Sequence, residues 1–139
     1  MPERKQVLIL CTGNVARSQM AEGLLRALAN DRFDVYSAGT YPSYVRPNAI
    51  AVMKEIGIDI SHHRSKSLNE FLTTPFDYVI TVCDHAAQSC PTFSGDAKRI
   101  HWSIEDPVVI GNDEAQLEAF RVARDDLKRR IEQFIVDET

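Results

Sequence analysis

No apolar stretch in these 139 residues is long enough to span a bilayer as a helix. The charged start, Met1 to Lys5, leads into an apolar run too short for a secretory signal and already needed as a strand. Basic runs are missing as well, and the formal net charge is -4, which argues against a nucleic-acid partner. The short cluster Lys128-Arg129-Arg130 does not reverse that, because Asp125, Asp126 and Glu132 dilute it on the same helix. A small anion stays possible, since a local cup can be positive on an acidic chain. Cysteine is scarce: three is an odd count, so a static disulfide framework is not expected in a reducing compartment and each thiol is either filler or reactive. Repeats, low-complexity tracts and linkers are absent. The length suits one domain with a real core, residues 1–139, and a cytoplasmic protein is expected.

What is present alternates between strand and helix. Val7 to Leu10 is a short apolar run suited to a central parallel strand. Met20, Leu24, Leu25 and Leu28 then recur at helical spacing on a segment that starts near Ser18. Phe33 to Ala38 reads as a second strand. Pro47 opens a helix with Ala49, Ile50, Val52, Met53 and Ile56 on its apolar face and Gly57 as its stop. Ser67 to Leu72 reads as a short helix, Asp77 to Val82 as the clearest strand, and Arg99 to Ile104 as a further one. Glu114 to Phe134 is a long amphipathic helix with Leu117, Phe120, Val122, Leu127, Ile131 and Phe134 inward. Such βαβ units predict an α/β fold, a parallel sheet with helices on both faces and ligands beyond the carboxyl ends of the strands. The polar stretch Cys83 to Asp96 is the best candidate for a mobile loop.

Three groups of residues carry chemistry. Cys11-Thr12-Gly13-Asn14-Val15-Ala16-Arg17-Ser18 lies between the first strand and the first helix. Gly13 and Asn14 tolerate left-handed backbone, as a tight loop needs. The loop N–H groups and the helix start would cradle an oxyanion, gripped by the fork of Arg17. The same field would favour the Cys11 thiolate, and the Ser18 hydroxyl could stabilise it. The plain alternative is a buried cysteine followed by a helix cap at Ser18. The second group is Cys83 and Cys90, with six residues between them. That spacing can close a disulfide if the chain bends, but incidental cysteines or a zinc site with His85 or His101 compete. The third is Glu105-Asp106-Pro107, where Asp106 is either a turn residue or a general acid, with Glu105 as competitor. His62 and His63 read as solvated surface, and Trp102 and Tyr78 as core.

Together these residues resemble the thioredoxin-coupled arsenate reductases built on the low-molecular-weight tyrosine phosphatase fold. The landmarks are Cys-Thr-Gly-Asn at 11 to 14, Arg-Ser-Gln-Met-Ala-Glu-Gly at 17 to 23, Tyr-Ser-Ala-Gly at 36 to 39, Asp-Ile-Ser at 59 to 61, the Cys83 and Cys90 pair, and His-Trp at 101 and 102 before Asp106-Pro107. The resemblance covers almost the whole chain. It implies a three-layer arrangement with a four-stranded parallel sheet, and an enzyme that reduces arsenate to arsenite. In that reading Cys11 is the nucleophile, Arg17 the anion clamp, Ser18 the thiolate partner and Asp106 the general acid. Residues Thr12, Gly13, Asn14, Val15, Ala16 and Arg17 hold the oxyanion, and Cys83 and Cys90 relay the disulfide to thioredoxin. Val15-Ala16 stands where many members carry Ser-Cys. Some members bind potassium through residues matching Asn14, Glu22 and Ser37 plus an acidic side chain. Lys66 stands at that acidic position, so neither a potassium site nor any tightly bound cofactor or metal is expected. A monomer is expected. The same loop would also suit a tyrosine phosphatase using Cys11, Arg17 and Asp106, or a redox sensor without turnover.

Overall fold

A run of apolar residues without alternation suits a strand covered on both faces. In the computed structural model, which describes residues 4–14, 16–41, 43–83, 97–108 and 112–138, Val7 to Cys11 is the buried inner part of β1 (Lys5–Cys11). Strands β2 (Phe33–Gly39), β3 (Tyr78–Thr81) and β4 (Lys98–His101) join it in one parallel sheet, in the order β2-β1-β3-β4. Helices α1 (Arg17–Ala29), α2 (Pro47–Lys54) and α3 (Asp113–Asp137) pack beside it and against one another, giving the α/β class with a four-stranded parallel sheet that was expected. The chain runs from β1 through α1 to β2 at one edge, then returns to β3 on the other side of β1. Strand order therefore reverses at β1, and such a reversal leaves a crevice at the carboxyl ends of the strands.

The register makes that crevice specific. Leu10 pairs with Thr81, and the Val82 N–H donates to the Leu10 carbonyl at 2.9 Å. Cys11 is thereby brought abreast of Val82 and Cys83. Beneath the strands, Phe134 of α3 meets Phe33 with tilted rings at 5.4 Å and Tyr78 edge-to-face at 5.1 Å between centroids. Trp102 and Tyr78 pack against this core from its margin.

Several boundaries differ from the sequence reading. Val122 points out and is 60 % exposed, while Phe120, Leu127, Ile131 and Phe134 are buried. Two residues turn a helix by about 200°, so Val122 cannot share the face of Phe120. Ile56 lies beyond the end of α2, and Gly57, at φ 80°, turns the chain away. β4 ends at His101 rather than Ile104, because β3, its ladder partner among the described residues, ends at Thr81 opposite it. The Ser67–Leu72 helix is a single 3₁₀ turn, Leu68–Phe71, capped by the Ser67 hydroxyl accepting from the Asn69 N–H. The basic cluster on α3 is diluted as expected, Arg129 and Arg130 both reaching Asp126. Most of the loop expected to be mobile, along with Cys90 and His85, lies outside the described residues. Among the described residues no helix is long and apolar enough to cross a membrane.

Gly39 closes β2 against the loop after β1. A Cβ there would stand 2.6 Å from the Thr12 carbonyl oxygen and 2.9 Å from the Asn14 nitrogen. Both are backbone atoms, so the loop itself must shift. Gly39→Ala is expected to lower stability by about 1–3 kcal/mol, the cost of overpacking a tight site. Urea unfolding checks this, and an unchanged midpoint would show that the approach is slack.

Candidate active site

The loop after β1 has a backbone that no sequence of ordinary residues would adopt freely. Asn14 sits at φ 51°, in the left-handed region, as its residue type allowed. That conformation costs an L-residue roughly 1–2 kcal/mol. Four buried or half-buried hydrogen bonds of its own amide offset it. Nδ2 donates to Ser18 Oγ at 2.7 Å and to Ser37 Oγ at 3.0 Å, and Oδ1 accepts from Gln19 Nε2 and the Lys66 N–H, each at 2.9 Å. At about 1 kcal/mol net each, these bonds win. They also use the amide's full donor and acceptor capacity.

The loop carbonyls are pinned outward. Thr12 O accepts from the Tyr41 N–H at 2.8 Å, Gly13 O from Ser65 Oγ at 2.8 Å, and Asn14 O from Gln19 Nε2 at 3.0 Å. Because a planar trans peptide sets its N–H opposite its C=O, fixing the carbonyls leaves the loop N–H groups on the other side. α1 begins at Arg17 with Ala16 in the cap position and no side-chain cap, so its first turn is not closed off by its own sequence. Val15 lies outside the described residues, as does Cys90.

Cys11 is buried at the head of β1, 2 % exposed, and Cys83 is buried beside it. Both are thiols. Cys83 Sγ also lies 3.2 Å from Thr12 Oγ1, so it is tied to the loop as well as to Cys11. The hydrogen bond with Cys83, together with burial, pushes the Cys11 thiol well above its ordinary value. Arg17 and the Ser18 backbone N–H pull the other way and lose. In the unliganded protein the neighbouring thiol and burial therefore act against the thiolate that the field of Arg17 and the loop favours. Ser18 reaches Cys11 through its backbone N–H, while its hydroxyl accepts from Asn14.

Arg17 spans from the loop to the segment after β4. Nη1 donates to the Ile104 carbonyl at 2.9 Å, and Nη2 lies 4.0 Å from Asp106 Oδ2. These contacts orient the fork without exhausting its donors. Asp106 is exposed on the outer side of Arg17, and its Oδ1 also accepts from the Val108 N–H, so it is a turn residue and a neighbour of the clamp at once. Glu105 is exposed, and the carboxylate that reaches Arg17 is that of Asp106. His101 pairs with Thr81 Oγ1 at 2.7 Å, and among the described residues no cluster of His, Cys, Asp or Glu could hold a metal ion.

Below the loop lies a charged layer that the residues alone did not announce. Glu22, 3 % exposed, accepts from Ser37 Oγ and lies 3.0 Å from Arg26, 3.7 Å from His63 and 3.8 Å from Lys66. His63 is inside rather than on the surface, and its Nδ1 meets Gln19 Oε1 at 2.9 Å. Gln19 Nε2 faces three oxygens, so Oε1 must accept and His63 Nδ1 must carry the proton. Burial lowers the pKa of His63, with Glu22 opposing. The available signal was Ser18, Gln19 and Glu22 interrupting an apolar helix; nothing marked His63. A potassium ion does not fit here. Asn14 Oδ1 is saturated, Ser37 Oγ accepts from Asn14 and donates to Glu22, and two cationic side chains already bracket the carboxylate.

A family-wide profile of low molecular weight phosphotyrosine protein phosphatases matches residues 6–138. An arsenate reductase of Halalkalibacterium halodurans is 45 % identical over 132 residues, 94 % of this chain and 95 % of that protein. A solved arsenate reductase in its phosphate-binding state superposes with a TM-score of 0.78 at 34 % identity, over 97 % of this chain and 99 % of the other. A low molecular weight protein tyrosine phosphatase from T. tengcongensis does so with the same TM-score at 29 % identity, over 96 % and 99 %.

Since Cys83 is the largest cause raising Cys11, Cys83→Ala should shift Cys11 ionisation to lower pH. The wild-type thiolate fraction should still be climbing above the ordinary thiol range, whereas the variant should level off sooner. Iodoacetamide labelling of the Cys11 peptide across a pH series measures both. Identical profiles would remove Cys83 from the account of Cys11 reactivity.

Proposed function

The chain belongs to the low molecular weight phosphotyrosine protein phosphatase family, and on that premise we propose that it reduces arsenate to arsenite rather than chiefly hydrolysing phosphoesters. The observation that carries this is the second thiol: the strand register sets buried Cys83 beside Cys11, with its Sγ 3.2 Å from Thr12 Oγ1 of the loop. A hydrolase has no use for it. An enzyme that must remove two electrons from its own sulfurs does. The arsenate reductase relatives support the same substrate.

The steps follow from the layout. Arsenate enters the loop, where the N–H groups and the fork of Arg17 hold its oxygens. Cys11 loses its proton and attacks arsenic. An arsenic–oxygen bond breaks, Asp106 gives the departing oxygen its proton, and water leaves a Cys11–arsenic(V) adduct. Ionisation of Cys11 is the demanding part, because burial and Cys83 oppose it. Cys83 then attacks the Cys11 sulfur. The sulfur–arsenic bond breaks with its electron pair going to arsenic, arsenite departs, and a Cys11–Cys83 disulfide forms. Thiolate exchange from Cys90 onto Cys83 releases Cys11 and leaves a Cys83–Cys90 disulfide. A thioredoxin-like dithiol protein restores the pair, which places the cycle in a reducing compartment such as the cytoplasm. Every group named comes from one chain, so a monomer suffices.

Asp106 beside Arg17 favours phosphatase chemistry as a side activity. Cys11 would take up the phosphoryl group and water would release it. As the main role it is disfavoured by Cys83, and by the lack of an aromatic pair directly after Pro107 to hold a tyrosine ring.

Coupled to thioredoxin, its reductase and NADPH, the wild type should consume NADPH steadily with arsenate. Cys90→Ser should give a single burst stoichiometric with protein and keep any hydrolysis of p-nitrophenyl phosphate. Cys11→Ser should lose both activities. Normal cycling by Cys90→Ser would refute the relay, and a wild type inert to arsenate would refute the substrate.

A further inference from the structure

The buried layer under the loop contains more positive charge than its single carboxylate requires. Glu22 is paired with Arg26 on its own helix at i,i+4 through Oε2. Oε1 faces the other way, toward Ser37 and Lys66. The Lys66 side chain is 12 % exposed, and its ammonium donates to the Arg64 carbonyl at 3.0 Å while lying 3.8 Å from Glu22 Oε1. The backbone of Lys66 is also tied to the cup and to β2: its N–H donates to Asn14 Oδ1 and its carbonyl accepts from the Gly39 N–H at 2.8 Å. One residue thus braces the loop by its main chain and supplies a cation to the carboxylate by its side chain.

From this we infer that Lys66 is a built-in counter-ion, a positioning residue whose tethered ammonium does the work a free monovalent cation would otherwise do beneath the oxyanion loop. Its line of action is short. Lys66 faces Glu22 Oε1, that oxygen receives the Ser37 hydroxyl, Ser37 Oγ receives the Asn14 amide, and Asn14 holds the left-handed turn of the cup. Arg26 and His63 both sit on Oε2, so without the Lys66 ammonium the Oε1 side of this buried carboxylate faces no cation, and it can recruit protons or solvent instead of holding the Ser37 hydroxyl in one orientation. Arg26 cannot replace Lys66, because it sits on Oε2, away from Ser37. Tethering removes the entropy of capturing an ion from solution. Burial lowers the pKa of Lys66 and Glu22 raises it, as expected for an ammonium held beside a carboxylate inside the fold.

The inference rests on the loop being an oxyanion cup, but one arm of its test needs no oxyanion. At equal ionic strength, the melting temperature of the wild-type protein should be the same in potassium chloride and in choline chloride. Lys66→Met should melt lower in choline and recover selectively in potassium, because removing the ammonium opens a place for the ion. Its affinity for inorganic phosphate, read by titration calorimetry, should fall by about tenfold in choline and be partly restored by potassium. Lys66→Arg, which keeps the charge, should follow the wild type. Selective stabilisation of the wild type by potassium would overturn the inference. So would a Lys66→Met protein equal to wild type in choline, or one weakened in choline that potassium does not rescue. The melting arm decides the role of Lys66 even if phosphate fails to bind, and that failure would count against the cup instead.

Discussion

The pairing of Leu10 with Thr81 is the constraint on which the site depends. It is an ordinary parallel register between two buried strands. Yet a shift of one residue in either strand would turn side chains to the opposite face of the sheet and separate the two sulfurs. Because the strands run in the same direction, both end at the same edge. Because the chain changes direction at β1, no further strand lies between them. Cys11 and Cys83 are 72 positions apart in the chain and meet for that reason alone. The apolar residues below them, from Val7 to Leu10 and Val79 to Ile80, fix the meeting point by burial rather than by any bond at the site.

Above this fixed floor the loop is held by polar contacts, and the two kinds of support differ in consequence. Packing makes the sulfurs meet. Hydrogen bonds turn the loop carbonyls outward and stabilise the left-handed Asn14, which a bare chain would avoid. The charged layer of Glu22, Arg26, His63 and Lys66 sits behind those bonds and keeps their directions fixed. Polar groups this deep are costly unless every partner is supplied, and here the Asn14 amide is fully paired.

The sequence was informative where a feature is local and periodic. The unbroken apolar run of β1, the helix opened by Pro47 and the phenylalanine and leucine spacing of α3 all declare themselves within a few residues. Cys11 and Arg17 were legible because their spacing falls between a strand and a helix. Distant neighbours were not. Nothing in the loop motif reveals that Cys83 will oppose ionisation of Cys11, since that depends on strand register. Nothing beside His63 distinguishes it from the exposed His62; only the path of the chain past α1 turns one inward. Val122 misleads for the opposite reason, being apolar at a helical position that faces solvent. Residue type alone does not separate Glu105 from Asp106 either; which carboxylate lies near Arg17 depends on the path of the chain after β4.

The contact between Cys11 and Cys83 is the heart of the account, and disulfide mapping tests it most directly. Reduced Cys90→Ser protein would be exposed to arsenate without any thiol donor, then digested and examined by mass spectrometry. A Cys11–Cys83 disulfide formed only when arsenate is present is the predicted product. A protein that keeps both thiols, or one whose Cys11 is oxidised without joining Cys83, would contradict the account.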